Sequence, residues 1–306
     1  VSGQRNKLFV SGIIICLIGA ICFSTKAIFV KLAYREAEVT ALPLLALRMI
    51  FSLPFFVVSA WLASSKTENI RFTPTQWLLV ALTGCLGYYV SSLLDFLGLQ
   101  YVSAGIERLV LFIYPTLVLV LSYVFFGDRV RAIQWLAVVI TYFGLALAFF
   151  GEVQATQTQQ FYFGSALIFG CAITYALYII LSGKLIPSIG AAKFNSYAMS
   201  FASVAVLAHY FITEKTSLFY FSSEVYFYAV CMALLSTVIP SFLVTEGIKR
   251  IGAGNAAIVG SIGPVSTILQ AWLVLDESIS VLQIGGTVLV LAGILLIGQK
   301  RAGTSD

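Results

Sequence analysis

Charge is what this sequence has least of. Of its 306 residues only 10% are Asp, Glu, Lys or Arg, and His209 is the single histidine. A soluble domain carries about 25% charged residues, so this chain has too little charge to cover its surface against water. The shortage excludes a disordered chain, which needs high charge and little apolar sequence. It equally excludes a nucleic-acid reader, which needs a basic patch. The five cysteines, Cys16, Cys22, Cys85, Cys171 and Cys231, all lie in apolar stretches without paired metal-type spacing. They read as small buried hydrophobes, and a disulfide-stapled secreted domain is excluded. No GxxxxGK[ST] motif is present, which argues against ATP-driven pumping. Neither a metal nor a cofactor is expected.

What the sequence has in abundance is apolar length: 60% hydrophobic residues and a mean hydropathy of +0.98. The natural solvent is a lipid bilayer. A spanning helix needs about 20 mostly apolar residues, and ten stretches qualify: 8–30, 41–63, 77–99, 103–126, 133–150, 163–183, 192–212, 226–247, 253–275 and 281–298. Runs such as LFVSGIIICLIGAICF do not alternate apolar and polar residues as barrel strands do. The first run is too long for the apolar core of a signal peptide and is expected to remain as a helix. The fold class is therefore an all-α integral membrane protein with ten transmembrane helices.

Lys and Arg resist translocation, so their distribution sets orientation. With the N-terminus inside, the cytoplasmic connections hold Arg5, Lys7, Lys66, Arg71, Arg129, Arg131, Lys184, Lys193, Lys249, Arg250, Lys300 and Arg301, and the outer ones only Lys31, Arg35 and Lys215. Both termini are expected in the cytoplasm and the chain in the plasma (cytoplasmic) membrane, the inner membrane of a two-membrane cell. The net charge of +5 is then an insertion signal.

An offset of 149 aligns, without a gap, Gly98 with Gly247, Ala104-Gly105 with Ala253-Gly254, Pro115 with Pro264, Asp128 with Glu277, Gln134 with Gln283 and Gly144 with Gly293. An offset of 152 brings Gly12 onto Gly164. The chain divides into residues 1–151, a linker at 152–160 (EVQATQTQQ without Lys or Arg), and residues 161–306. Five spans is an odd number, so the second unit enters the membrane from the opposite side. Two inverted five-helix repeats are a recurring design of secondary transporters.

The segments FSTKAIFVKLA (23–33), LLALRMIFSLPFF (44–56), GLQYVSAGIERLVLFIYPTLVLVLSYVFFGDRV (98–130) and GIKRIGAGNAAIVGSIGPVSTILQAWLVLDESIS (247–280) resemble the two EamA-type domains of the drug/metabolite transporter superfamily. The resemblance covers nearly the whole chain. It implies ten helices in two inverted repeats, cytoplasmic termini, and movement of small metabolites, often as efflux, through a central cavity. The family's acid after a proline-bearing fourth helix falls on Asp128 and Glu277, and its lysine and arginine on Lys31 and Arg48. The sequence departs from the family in carrying Asp128 for the more usual Glu, and in lacking the first-helix tryptophan around Cys22-Phe23.

Five ionisable residues lie at bilayer depth, where each costs about 2.5–3.5 kcal/mol on insertion scales and needs a cavity or a partner. They are Lys26, Arg48, Asp95, Glu107 and Arg108, all in the outer half of the first repeat. Three cations against two acids leave one positive charge uncompensated, which favours a carboxylate-bearing or zwitterionic substrate. The competing reading is a structural ion-pair network of Lys26 or Arg48 with Asp95 or Glu107. Arg108, near a helix end, is expected to snorkel to the interface. Asp95 and Glu107 are the proton-coupling candidates: a poorly paired carboxyl group at this depth takes up a proton, whereas one paired with Arg48 stays ionised.

On the third span Gly84, Tyr88, Ser91 and Asp95 form one polar stripe that should face inward. The ninth span echoes it weakly with Val259, Gly263, Ser266 and Gln270. Tyr175 and Tyr178 stand three residues apart on the sixth span, and Tyr114 precedes Pro115, which breaks a backbone hydrogen bond. Tyr88, Ser91, Tyr114, Tyr175, Tyr178 and Gln270 thus join Lys26, Arg48, Asp95 and Glu107 as candidate substrate contacts. Pro240, flanked by Ser236, Thr237 and Ser241, reads as a structural kink. Asp128 and Glu277 read as caps of the helices that follow them.

The expected function is a secondary transporter, an exporter, that moves a small metabolite by alternating access, as a monomer or weak dimer. Its partners are the substrate, the bilayer and a coupling proton, with no nucleic acid. The alternative is a channel or lipid-translocating protein, although no ring of charge or filter-like loop is visible. An enzyme would need a clustered catalytic set, and none is present.

Overall fold

The computed structural model describes residues 2–36, 39–65, 72–126, 132–156, 159–214, 217–260 and 262–298. These residues are helical almost throughout, with no strand among them. In chain order the helices are α1 (Ser2–Glu36), α2 (Ala41–Ser64), α3 (Pro74–Gly98), α4 (Ala104–Leu111), α5 (Tyr114–Phe126), α6 (Ala132–Thr156), α7 (Gln159–Ile189), α8 (Ala191–Thr213), α9 (223–260), α10 (Ile262–Leu275) and α11 (Val281–Gly298). Among the described residues seven helices are long and apolar enough to cross a membrane, the fourth of these being the broken stretch Ala104–Phe125. Three shorter apolar helices, Val138–Leu147, Ile262–Leu275 and Val281–Gly293, accompany them. Large apolar side chains such as Phe143 (64% exposed), Phe211 (71%) and Trp61 (67%) point outward, as they do where lipid replaces water. This is a multi-pass membrane protein.

Three expectations about the spans change. The stretch 103–126 is broken at Phe112–Ile113, where Ile113 N donates to Val110 O and Thr116 N to Ile113 O in tight turns. Pro115 has no N–H and its ring would crowd the carbonyl of Leu111, so α4 stops and α5 begins afresh. The connection expected near residue 250 is helical, and α9 runs to Gly260. Helix also continues through Thr156 and resumes at Gln159, inside the polar stretch 152–160. Asp128 and the cations Lys66, Arg71, Arg129, Arg131, Lys215, Lys300 and Arg301 lie outside the described residues, as do the side chains of Arg5, Lys7 and Gln134.

The strongest packings run between the halves of the chain: α1 with α9 and α10, α2 with α8, α3 with α7 and α6 with α11; α4 packs on α10 as well. Glycines allow two of these approaches. A Cβ on Gly98 would sit 2.4 Å from Ile168 Cδ1 and 3.0 Å from Gly164 O, so the end of α3 closes on the start of α7. A Cβ on Gly12 would sit 2.5 Å from Ile251 Cγ2, and one on Gly247 would overlap Cys16, so the end of α9 closes on the start of α1. These are the glycines that the sequence offsets exchange, Gly98 for Gly247 and Gly12 for Gly164. The same close crossing is built twice, each time from one copy of each half.

The offset of 149 relates a further pair of features. Two π-helical stretches interrupt the spans, Cys85–Val90 in α3 and Leu234–Val238 in α9. Adding 149 to 85 gives 234, so the second begins at the repeat counterpart of the first. Such one-turn widenings shift the register of a face and occur often at functional sites. Pro240 follows the second, and Ser241 Oγ donates to the Val238 carbonyl at 2.9 Å, relieving part of the disturbed ladder.

Candidate functional site

Where α1, α3 and α4 meet α7, α9 and α10, the buried charges converge. Lys26 Nζ stands 2.7 Å from Asp95 Oδ2 and 3.6 Å from Glu107 Oε1, and Arg108 Nε stands 3.6 Å from Glu107 Oε2. One ammonium thus bridges two carboxylates. All four residues are buried, Asp95 and Glu107 completely, so these pairs attract at low dielectric and offset part of a desolvation cost of several kcal/mol per ion.

Arg48 departs from this pattern. It is 2% exposed, yet it forms no ion pair with an acid among the described residues. Its Nη2 donates to Ser92 Oγ at 2.8 Å and its guanidinium carbon lies 5.0 Å from the centre of the Phe96 ring. Its Nε has no hydrogen-bond partner among the described residues. Of the three cations Lys26, Arg48 and Arg108, Arg48 is the one without an acid partner among the described residues.

Arg108 does not snorkel. It is 3% exposed; its Nε donates to Thr267 Oγ1 of α10 at 3.0 Å and its Nη2 to the Phe23 carbonyl at 3.5 Å. All eight residues of α4 are buried, so no path along the helix surface leads this side chain to the interface, and acceptors from α1 and α10 satisfy it in place.

Two cavities adjoin here, both lined by Phe23, Leu111 and Tyr175. The smaller, about 380 Å³ and open in part to its surroundings, has the more polar wall of the two, with Lys26, Arg48, Tyr88, Ser91, Ser92, Cys171, Ser236 and Thr237 in it. The larger, about 630 Å³ and likewise open in part, is mostly apolar, with Arg108, Tyr114 and Cys16 among Ala20, Ile179, Val244 and Ile248. Small-molecule sites combine apolar walls with a few placed polar groups, and the walls of these two cavities present both. An aromatic chain runs between them: Tyr88 contacts Tyr178 edge-on at 5.1 Å, Tyr178 stacks on Tyr175 at 5.6 Å, and Tyr175 meets Tyr114 edge-on at 5.1 Å. The Tyr88 and Tyr178 hydroxyls stand 3.4 Å apart.

Of the ten candidate contacts, Lys26, Arg48, Tyr88, Ser91, Tyr114 and Tyr175 line a cavity, Asp95 and Glu107 form the ion cluster beside it, and Tyr178 supports the tyrosines. Gln270 is not brought in: its amide donates to Ser266 Oγ at 2.8 Å and it lines neither cavity. Sequence reasoning assigned Ser236 and Thr237 to a kink, whereas both line the polar cavity, on the π-helical stretch of α9 opposite that of α3. Ser236 Oγ pairs with Thr25 Oγ1 at 2.7 Å, but the buried Thr237 Oγ1 has no partner among the described residues. The repeat gave a signal for them: Gly87 and Tyr88 align with Ser236 and Thr237 at the offset of 149.

Glu277 caps a helix, but not the one that follows it. Its Oε1 accepts from Ala104 N at 3.1 Å and its Oε2 from Gly105 N at 3.4 Å, at the N-terminus of α4 in the other half. Ser280 caps α11 instead, accepting from Gln283 N at 3.0 Å.

A bundle of membrane-spanning helices with a buried charged centre between two like halves is a frame that membrane transporters use. The chain belongs to the EamA-like transporter family, whose sequence pattern matches residues 10–150 and again 162–299. It is 34% identical over 305 residues to the uncharacterized transporter YcbK of Bacillus subtilis (strain 168), covering 95% of this chain and 96% of the relative. It is 22% identical to the uncharacterized transporter sll1319 of Synechocystis sp. (strain ATCC 27184 / PCC 6803 / Kazusa), covering 96% of this chain and 95% of that one. A solved crystal structure superposes with a TM-score of 0.68 at 16% identity, over 97% of this chain and 99% of its own; it shows the fold alone.

Proposed function

We propose that this chain is a secondary transporter that exports a small metabolite bearing a carboxylate, alone or within a zwitterion. Transport proceeds by alternating access through the cavities between two inverted repeats of five spans each, residues 1–151 and 161–306, joined at 152–160. The observation that carries this reading is Arg48: a buried guanidinium in a cavity wall, without an acid partner among the described residues and with one nitrogen unbonded. A buried cation in that state is stabilised by an anion that comes and goes. Thr237, whose hydroxyl is also unpartnered, offers a second contact from the other half.

The packing supports the mechanism. Each strong helix pairing joins one half to the other, so rocking the halves exchanges which end of the cavity is open. The excess of Lys and Arg at Arg5, Lys7, Lys184, Lys193, Lys249 and Arg250 supports a reading with that side and both termini cytoplasmic and the chain in the plasma membrane. Asp95 and Glu107 share Lys26, so a proton taken up by either leaves the ammonium paired with the other; these two acids are the coupling candidates.

Reconstitution into liposomes tests the reading. The purified protein is expected to catalyse counterflow of a small carboxylate or zwitterion, and Arg48→Ala and Asp95→Asn to lose it while accumulating in the membrane near the parent level. Full flux in both variants would overturn the assignment of the cavity. Loss of both proteins from the membrane would leave the charges as a structural ion-pair network. Lipid exchange without solute flux would instead mark a lipid-translocating protein.

A further inference from the structure

The contact between Glu277 and α4 joins the two halves of the chain directly beside the charged centre. The turn after α10 is shaped for it. Asp276 adopts φ 57°, the single left-handed non-glycine residue among those described, in a region where Asp is tolerated better than most residues. That turn points the next residue back towards the other half, and the Glu277 carboxylate receives the first two N–H groups of α4. Ser103 Oγ takes the third, accepting from Ile106 N at 3.2 Å. The N-terminus of a helix carries partial positive charge and open donors, so one carboxylate from the turn after α10 and one hydroxyl from the preceding residue complete its first turn. Beside this contact Gly105 leaves room for the Gln283 amide of α11, whose Nε2 would lie 2.5 Å from a Cβ there.

Helix α4 then carries the contact inward. Glu107 and Arg108 lie in its first turn and a half, and Arg108 is bonded to Thr267 of the same α10. The short helix is gripped by the second half at its N-terminus and again within a turn, and between these points it holds Glu107 against Lys26.

Building on the alternating-access reading, we propose that Glu277 is a positioning residue and the closing contact of this end of the cavity. While it caps α4, Glu107 and Arg108 are held at Lys26 and the Ala104 end is shut; its release lets α4 leave α10 and opens the cavity on that side.

The protein supplies its own reporters: Cys16 lines the apolar cavity and Cys171 the polar one, both 2% exposed. With Cys22, Cys85 and Cys231 replaced by Ala, a membrane-impermeant maleimide applied to sealed vesicles of either orientation reads access from each side. Glu277→Ala is expected to raise Cys171 labelling about tenfold from the Ala104 side alone, and Glu277→Gln, which keeps one acceptor oxygen, to fall between it and the parent. Unchanged labelling in Glu277→Ala, or an equal rise from both sides, would overturn the proposal and leave Glu277 a structural cap. Should Glu277→Ala fail to accumulate, Glu277→Gln carries the test with a smaller one-sided rise. Because the assay needs no substrate, a one-sided response in a protein that shows no carboxylate flux would sustain the closing contact while overturning the substrate reading.

Discussion

Replacing Lys26 by Met removes the one cation that Asp95 and Glu107 share, with little change in side-chain length. At 2.7 Å and an effective dielectric of about 20, the Lys26 and Asp95 charges attract by roughly 6 kcal/mol, and burying them costs a comparable sum. The pair is therefore close to neutral in net stability, but its halves are not separable. Without Lys26, Asp95 loses its ion-pair partner, whereas Glu107 keeps Arg108 at 3.6 Å. Stranding a buried charge costs about 3–5 kcal/mol, which for a chain of this size lowers the melting temperature by on the order of 10 °C. The double variant Lys26→Met/Asp95→Asn removes both charges and is expected to regain most of that loss in detergent-solubilised melts. Flux through the double variant should stay low, because the cluster would hold one acid facing two arginines and no ammonium to share. An unchanged melting temperature in Lys26→Met would refute the energetic reasoning. Recovered flux in the double variant would refute the assignment of the cluster to transport.

Two further substitutions probe the packing around the site. Thr237→Val keeps the shape and removes a buried hydroxyl that has no partner among the described residues; since leaving such a group unpaired costs about 1–3 kcal/mol, the melting temperature should rise or hold while the substrate concentration for half-maximal flux increases several-fold. Gly84→Ala places a Cβ 2.2 Å from the Ala198 carbonyl oxygen, backbone that cannot yield without moving α8, so a loss of about 1–3 kcal/mol and a lower melting temperature are expected, and an unchanged one would show that α3 and α8 separate freely.

The residues that the sequence made legible were those whose chemistry is costly in lipid. Lys26, Asp95 and Glu107 stand out in apolar runs because a charge at that depth requires a partner, and the structure puts the three together. Arg108 was misjudged for the same reason in reverse: snorkelling is a property of helix ends that reach the interface, and a break at Pro115, which leaves α4 eight residues long and wholly buried, decides that this one does not. Thr237 carries no charge and was hidden beside a proline that explained it. The echo of α3 on the ninth span does not bring Gln270 to the cavities, because its amide bonds along its own helix to Ser266. Glu277 was recognised as a cap, but which helix a carboxylate caps depends on the turn at Asp276, and nothing local in the sequence fixes that turn.

The repeat explains why the site is built as it is. Two π-helical stretches at equivalent positions present Tyr88 from one half and Thr237 from the other to a single cavity, so duplication supplied the frame on both walls while divergence supplied different chemistry to each. Charge followed the same division: the ionisable cluster belongs to α1, α2, α3 and α4 of the first half, and the second half answers it with the neutral donors and acceptors Thr267, Ser236 and Thr237. A symmetric pair of charged walls would hold a substrate equally in both orientations and repel itself when empty. On the proposed reading, with the charge on one wall only, a carboxylate would have one orientation that reaches Arg48, and motion of the neutral half against it would change access without carrying an unpaired charge through the bilayer. Moving the cation across, as Arg48→Gln with Thr237→Arg, should therefore fail to restore flux even where the new guanidinium faces the same cavity; restoration would mean that the position of the charge does not matter and that its sign alone selects the substrate.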